Sequence, residues 1–208
     1  MKEGRSLDTT MGFSPADGLV MSRRSGDLDP GVLLYLFKEK GLDVPAVNHM
    51  VNKEGGLLGV SGISPDMKNL LDEEARNARA AQAVELFCYQ AKKFFGALAA
   101  VLGGLDTLIF TGGIGEKAPS TRRRICGNME FLGILLDRSL NETNFPLISR
   151  HDSPVTVRVL KTNEELMIAR HARNIPMESK EVRQGAQVRR NKAQKDVIHT
   201  ERRWPCLL

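Results

Sequence analysis

Apolar residues recur at helical spacing most persistently between Asp72 and Leu102, and this segment is predicted to form the main core helix. The pair Gly103-Gly104 follows it and favours backbone conformations that end a helix. Two shorter helices are predicted upstream, one from Asp29-Pro30 to Gly41 and one from Pro45 to about Glu54. The apolar stripe of the first short helix consists of Val32, Leu33, Leu36 and Phe37.

Short β-branched runs alternate with helical patterns further along the chain. The segment from Asp106 to Thr111 is continuously apolar at its centre, which is typical of a parallel strand covered on both faces. The other predicted elements are strands over Met11–Met21, Phe131–Leu136 and Val155–Leu160, and helices over Ala118–Met129 and Glu164–Arg173. This alternation predicts an α/β domain with a largely parallel or mixed sheet.

Beyond about Asn174 the apolar periodicity disappears, so we predict a domain over 1–173 and a disordered basic tail over 174–208. The tail holds eight Lys or Arg and four Asp or Glu, which is +4 of the net charge of +5. Nucleic-acid binding by this tail is disfavoured, because Trp204 is its one aromatic residue and acidic side chains are mixed in.

The composition, 41% hydrophobic and 26% charged, is that of an ordinary globular protein. No apolar stretch reaches the roughly 18 to 20 residues that a membrane helix needs, and the first residues have no apolar signal-peptide core. We therefore expect no membrane association and a cytoplasmic location. Three cysteines, Cys88, Cys126 and Cys206, lack C-x-x-C spacing, so neither a disulfide framework nor a zinc site is predicted.

The strongest chemical motif is the run Thr111-Gly112-Gly113-Ile114-Gly115-Glu116, which lies between a predicted strand and a predicted helix. Glycines allow close approach of an anion, and the start of a helix offers unpaired amides, so the run can form a phosphate or nucleotide cradle. It matches neither the P-loop nor the dinucleotide-binding glycine pattern. A tight turn without a ligand is the alternative interpretation of this run alone.

Four blocks of sequence, in order, resemble the acetate and propionate kinase family. They are the string from Asp8 to Pro30 with its Thr-Met-Gly and Arg-Ser-Gly-Asp-Leu-Asp-Pro parts, and the blocks Gly55–Gly62, Phe110–Glu116 and Thr162–Glu165. The resemblance implies an actin-like ATPase (ribonuclease H-like) fold, shared with sugar kinases and Hsp70, in which two α/β domains close on a nucleotide. It also implies that this chain is the C-terminal half.

The resemblance implies roles for two charged residues. Arg24 matches the arginine held to stabilise the transferring phosphoryl group, a role that suits a permanently charged guanidinium with paired donors. Its alternative is a solvated surface arginine. Glu164 matches the glutamate associated with magnesium, a cation that prefers oxygen ligands. Its alternative is stabilisation of a helix start.

The family's adenosine contacts fall on two segments of this chain. They correspond to Asp66, Met67, Lys68, Gly113, Ile114, Gly115, Glu116 and Lys117. Two of these positions depart from the family pattern, because Lys68 replaces the usual Arg and Lys117 the usual Asn. Lysine keeps a donor and loses the planar, paired geometry, so recognition of base or ribose is expected to differ here.

The implied activity is phosphoryl transfer from ATP to acetate or another short carboxylate, with Mg²⁺ as cofactor and ADP and acetyl phosphate as products. The implied assembly is a homodimer through this domain. Because the family's first domain supplies further catalytic residues, the isolated chain is expected to show little or no activity. The alternative is a catalytically silent nucleotide-binding or dimerisation module derived from such a kinase.

Overall fold

The computed structural model describes residues 1–174 and divides the chain into two compact units, Met1–Thr162 and a second unit that begins at Asn163. In chain order the elements are α1 (Pro30–Lys38), α2 (Val44–His49), a π-helical turn (Met50–Glu54), α3 (Gly56–Ser61), α4 (Met67–Glu73), α5 (Ala78–Leu102), β1 (Thr107–Phe110), α6 (Gly112–Lys117), α7 (Pro119–Cys126), a 3₁₀ turn (Glu130–Leu132), α8 (Arg138–Glu142), β2 (Thr156–Val159) and α9 (Glu164–Asn174). All except α9 belong to the first unit. Residues 175–208 of the predicted tail lie outside the described residues.

The two strands run parallel, as predicted, with Thr107 opposite Thr156 and Phe110 opposite Val159. The amide of Leu160 donates to the carbonyl of Phe110 at 2.9 Å and carries the pairing one residue further. On β1, Leu108 and Phe110 are buried while Ile109 is 48% exposed. The prediction of coverage on both faces is therefore wrong for β1, since in the described chain helices cover one face.

The core is built around α5, and α3, α4 and α7 pack against it. The side chains that α5 buries are Ala80, Ala83, Val84, Phe87, Cys88, Ala91 and Ala99. Asn77 caps the first turn by accepting from the amides of Arg79 and Ala80, and Gly103 ends the helix with φ +79°. The long helix is confirmed, but it starts at Ala78 because a separate helix, α4, precedes the Asn77 cap.

Two of the shorter helices confirm the sequence analysis. α1 begins at Pro30 behind the Asp29 cap, whose carboxylate accepts from the amide of Gly31 at 2.6 Å. None of its residues is buried, and Val32 and Phe37 of the predicted stripe are exposed. α2 and the π-helical turn together fill the second predicted helix up to Glu54.

Two predicted strands are wrong. Over Met11–Met21 there is no strand, because Gly18, with φ +81°, turns the backbone against Thr10. Over Phe131–Leu136 a 3₁₀ turn precedes Gly133, with φ +82°, and only Leu136 pairs, in a single bridge to Ser149. Helices α3 and α8 were not predicted from the sequence.

The predicted helix over Ala118–Met129 is shorter in the structure, where α7 runs from Pro119 to Cys126. Gly127 ends it by leaving the helical conformation at ψ 137°. The helix predicted from Glu164 is present as α9. No helix within residues 1–174 is both long enough and apolar enough to cross a membrane.

Candidate nucleotide site

The glycine-rich run after β1 is itself helical. α6 begins directly at Gly112, whose φ of +72° is a conformation that favours glycine. The turn therefore stands at the carboxyl end of a parallel strand, the edge where open α/β sheets bind ligands. The position of this turn agrees with the prediction from the sequence, whereas the short helix α6 that the turn itself forms was not predicted.

Two glycines of α6 have different surroundings. A Cβ atom on Gly115 would lie 3.2 Å from the carbonyl carbon of Phe110, so this glycine lets α6 pack closely on the end of β1. A Cβ atom on Gly113 would meet nothing within 4 Å, and the backbone there is exposed. Gly113 consequently leaves an open space beside the backbone into which an anionic group can approach.

The carboxylate of Glu116 joins α6 to the segment that follows β2. Its Oε1 accepts from the amide of Gly112 at 3.1 Å, from the amide of Thr162 at 3.1 Å and from the hydroxyl of Thr162 at 3.3 Å. The Thr162 amide, together with the other two donors, lowers the pKa of Glu116 below its ordinary value. The ends of the two parallel strands are thus tied through one carboxylate oxygen.

Arg122 supports α6 from behind and is fully buried. Its guanidinium donates to the carbonyl of Gly115 at 2.8 Å, to the side chain and carbonyl of Asn141 at 2.9 and 2.8 Å, and to the side chain of Asn144 at 2.8 Å. Burial lowers the pKa of Arg122 from the ordinary arginine value. Because neutral oxygens satisfy its donors, the residue serves as a buried hydrogen-bonding hub beneath the glycine turn.

The segment that contains Arg24 is a compact loop fastened to α3. The amide of Met21 donates to the carbonyl of Arg24 at 3.1 Å, and the amides of Leu57 and Leu58 donate to the carbonyls of Met21 and Ser22 at 2.9 and 3.0 Å. Gly56 allows this approach with φ +64°, since a Cβ atom there would lie 2.7 Å from the carbonyl oxygen of Arg24.

The side chain of Arg24 is half-buried, and its Nη1 donates to the carbonyl of Pro15 at 2.5 Å. Within residues 1–174 this is the one hydrogen bond of the guanidinium. Nε and Nη2 therefore remain available as donors to a ligand. The side chain is thus oriented and partly shielded from solvent, and both interpretations of Arg24, phosphoryl stabilisation and a surface arginine, stay predictions.

The second predicted adenosine segment lies at the start of α4, which packs on α5. Asp66 is the N-cap, and its Oδ1 accepts from the amides of Lys68 and Asn69 at 2.7 and 3.3 Å. Met67 is in the core at 5% exposure, whereas Lys68 is exposed. In the described residues no hydrogen bond joins this segment, the Arg24 loop and α6, and the adenosine contacts stay a prediction.

Glu164, the predicted magnesium residue, is the first residue of α9 in the second unit. The side chain of Asn163 accepts from the amide of Leu166 at 2.9 Å and so supplies the helix cap, which leaves the exposed Glu164 carboxylate uncommitted to that task. The described residues contain no cluster of three or more metal-binding side chains. A lone carboxylate still suits Mg²⁺ that is shared with phosphate oxygens and waters.

The residues of the candidate site lie within a segment that matches a known protein family. The family model described as "Acetokinase family" matches residues 1–170. This chain belongs to the acetokinase family. The acetate kinase of Clostridium beijerinckii is 49% identical over 173 residues, and the match covers 80% of this chain and 43% of that protein.

Solved structures of the family show the same fold. The Porphyromonas gingivalis acetate kinase matches with a TM-score of 0.78 at 44% identity, covering 82% of this chain and 44% of the other. A Francisella tularensis propionate kinase matches with a TM-score of 0.75 at 39% identity, covering 80% and 43%. The predicted α/β, actin-like ATPase fold is confirmed. The chain spans less than half the length of these acetokinase relatives, and its correspondence to their C-terminal half stays a prediction.

Two residues that stabilise the site, Arg122 and Gln90, were not predicted from the sequence. Arg122 is the first of three consecutive arginines, and its spacing from Ile125 and Cys126 places it on the buried face of α7. Helical periodicity contains that signal. Gln90 fastens the Arg24 loop to α5, because its side-chain oxygen accepts from the amide of Val20 at 2.9 Å. No sequence pattern marks that contact, which joins residues 70 positions apart.

Proposed function

We propose that this chain is the nucleotide-binding part of an acetate kinase, a phosphotransferase that converts ATP and acetate into ADP and acetyl phosphate. In this reaction a carboxylate oxygen of acetate forms a bond to the γ-phosphorus, and the bond from that phosphorus to the β–γ bridging oxygen breaks. The observation that carries the proposal is the family match over residues 1–170, together with relatives named acetate kinase at 45% and 49% identity.

The backbone around Gly113 is the proposed phosphate contact. Its position after β1 supports this assignment, as does the open space where a Cβ atom would stand. Gly115 and Arg122 act indirectly, because the first allows α6 to pack on β1 and the second holds the carbonyl of Gly115. Positioning of this kind supplies much of the catalysis in phosphoryl transfer.

Arg24 is the proposed catalytic residue. A guanidinium can place two donors on the equatorial oxygens of a transferring phosphoryl group and stabilise the charge that spreads there. The contact from Nη1 to Pro15 orients the side chain, and Nε and Nη2 supply the paired donors. The close packing of the loop on Gly56 supports a fixed position for this arginine.

Glu164 is the proposed protein ligand of magnesium, directly or through water. When bound with ATP, Mg²⁺ neutralises phosphate charge. Asp66 and Lys68 are proposed to lie near the adenosine. The ammonium group of Lys68 replaces the paired donors of the family's usual arginine. A homodimer through this domain and a cytoplasmic location belong to the same proposal.

The test begins with calorimetric titration of the purified 208-residue chain with ATP and Mg²⁺. We expect binding in the wild type and its loss in Gly113→Leu, whose side chain would fill the proposed phosphate space. Gly96→Leu is the matched control, because a Cβ atom on Gly96, in α5, likewise meets nothing within 4 Å. Equal binding by both variants would contradict the proposed nucleotide site.

Formation of acetyl phosphate from acetate and ATP is measured in the same preparation. Turnover that disappears in Arg24→Ala would show that the chain suffices for catalysis. Without turnover, the chain is mixed with the part of the Porphyromonas gingivalis acetate kinase that lies outside the match. Activity that then depends on Arg24 would support the kinase, whereas nucleotide binding that never supports turnover would favour the silent module.

A further inference from the structure

We propose that Glu116 is a positioning residue that ties the nucleotide turn to Thr162, and that it does not itself contact the nucleotide. The inference rests on the proposed function, because it assigns a role within the same site. It also revises the sequence-based expectation for Glu116, which grouped this residue with the adenosine contacts.

The geometry of the carboxylate points away from a ligand role. Three donors converge on Oε1 alone, namely the amide of Gly112, the amide of Thr162 and the hydroxyl of Thr162. Gly112 opens α6, and Thr162 lies three residues beyond the end of β2. The oxygen thus spans 46 residues of sequence and joins the carboxyl ends of two hydrogen-bonded parallel strands.

Both residues that donate to Glu116, Gly112 and Thr162, lie where small displacements would alter the site. The amide of Gly112 is the first of α6, so its direction sets the direction of the following amides at Gly113 and Ile114. Thr162 is followed in the sequence by Asn163 and Glu164, the proposed magnesium residue. One carboxylate therefore holds both the first amide of the proposed phosphate-binding backbone and the segment that follows β2.

The local charges favour this role over nucleotide contact. A carboxylate presented to a triphosphate would repel it, whereas a carboxylate engaged by three donors is partly neutralised by them. Lys117, the adjacent residue in the sequence, adds a favourable charge. The lowered pKa of Glu116 agrees with a group that stays ionised and occupied at neutral pH.

The experiment compares variants of the complete chain by calorimetric titration with ATP and Mg²⁺. Glu116→Gln keeps one oxygen that can accept all three hydrogen bonds, and Glu116→Ala keeps none. We expect binding by Glu116→Gln to stay within about twofold of the wild type, and binding by Glu116→Ala to weaken about tenfold. A residue that contacted the base or ribose through its charged carboxylate would lose affinity in both variants.

A double-mutant comparison separates positioning from direct contact. Thr162→Val removes only the hydroxyl donor and should weaken binding less than Glu116→Ala. The pair of changes together should weaken binding no more than Glu116→Ala alone, because both act through the same contact. Thr143→Val is the control, since the Thr143 hydroxyl donates to the carbonyls of Ser139 and Leu140 in α8.

The failures of the two proposals are distinguishable. Absence of binding by the wild type would overturn the proposed function and the role of Glu116 with it. Binding by the wild type with unchanged affinity in Glu116→Ala would overturn the positioning role alone. That role would also be overturned if Glu116→Gln bound as weakly as Glu116→Ala, or if the losses in Glu116→Ala and Thr162→Val multiplied in the double variant.

Discussion

Nη1 of Arg122 donates a 2.8 Å hydrogen bond to the carbonyl oxygen of Gly115, and thereby links the buried face of α7 to the glycine turn. Replacement of Arg122 by Ala would remove this bond and leave the buried oxygens of Asn141 without their donor. We expect the free energy of unfolding, measured in urea, to fall by about 3 kcal/mol.

The neighbouring Arg123 provides the matched control for that change. Its guanidinium pairs with Glu142 at 2.7 Å, but both side chains are nearly half exposed. Replacement of Arg123 by Ala should cost less than about 1 kcal/mol, since surface ion pairs contribute little. Similar losses for the two arginines would contradict the structural role given to Arg122.

Alanine substitutions at Gly56 and Gly41 distinguish the cost of steric crowding from the cost of backbone strain. Their φ angles are +64° and +63°, so an alanine at either position meets the same conformational penalty of about 1 kcal/mol. A Cβ atom on Gly41 has no neighbour within 4 Å, whereas one on Gly56 would collide with the carbonyls of Met21 and Arg24. Thermal unfolding should therefore show a clearly larger loss for Gly56→Ala than for Gly41→Ala.

Glu116 should make stability depend on pH in a predictable direction. Its pKa is lowered in the folded protein by donors from Thr162 and Gly112, so the carboxylate stabilises the fold above the ordinary carboxyl range. This stabilisation is lost as the pH falls through the lowered pKa. The contribution of Glu116 is measured as the difference in the free energy of unfolding between the wild type and Glu116→Gln at each pH. Asp152, whose pKa is also lowered, contributes equally to both proteins and cancels in this difference.

The difference in the free energy of unfolding between the wild type and Glu116→Gln should change with pH in the acid range. If it did not, the hydrogen bonds to Glu116 would not form in solution. The comparison needs no nucleotide and no turnover. It therefore tests the tie between the strand ends independently of the proposed function.

Cys88 and Cys126 should be inert towards alkylating reagents in the folded chain. Burial raises the pKa of the Cys88 thiol to about 11 and that of the Cys126 thiol to about 12, so almost no thiolate is present near neutral pH. Mass spectrometry after iodoacetamide treatment should find both unmodified in buffer and both modified in urea. Rapid labelling of either residue under native conditions would show that its helix opens.

Local sequence patterns predicted the elements that local chemistry determines. The Asp29-Pro30 start of α1, the Gly103 stop of α5 and the parallel strand at Thr107–Phe110 all follow from capping, glycine conformation and apolar runs. The errors have a shared cause. Gly18 and Gly133 turn the backbone with positive φ, and their carbonyls accept from the distant amides of Asp27 and Val155. A period-2 apolar pattern contains no information about such contacts.

The motifs of the candidate site could be read from the sequence, but not the contacts that hold them. The glycine run was predicted as a cradle, yet the tie from Glu116 to Thr162 crosses 46 residues and the support from Arg122 depends on two asparagines of a different segment. Such contacts depend on tertiary packing. Of these contacts, only the burial of Arg122 is indicated by a local pattern, because Arg122 lies at helical spacing from Ile125 and Cys126.

The absence of buried residues from α1 has a consequence for folding cooperativity. An isolated helix of nine residues is marginal in water, and within the described chain α1 gains little from packing. Its melting should therefore be separate from that of the α5 core, and apolar-to-polar substitutions at Leu34 or Tyr35, which are exposed, should leave the main unfolding transition unchanged. The apolar side chains of α1 therefore contribute little to the free energy of global unfolding.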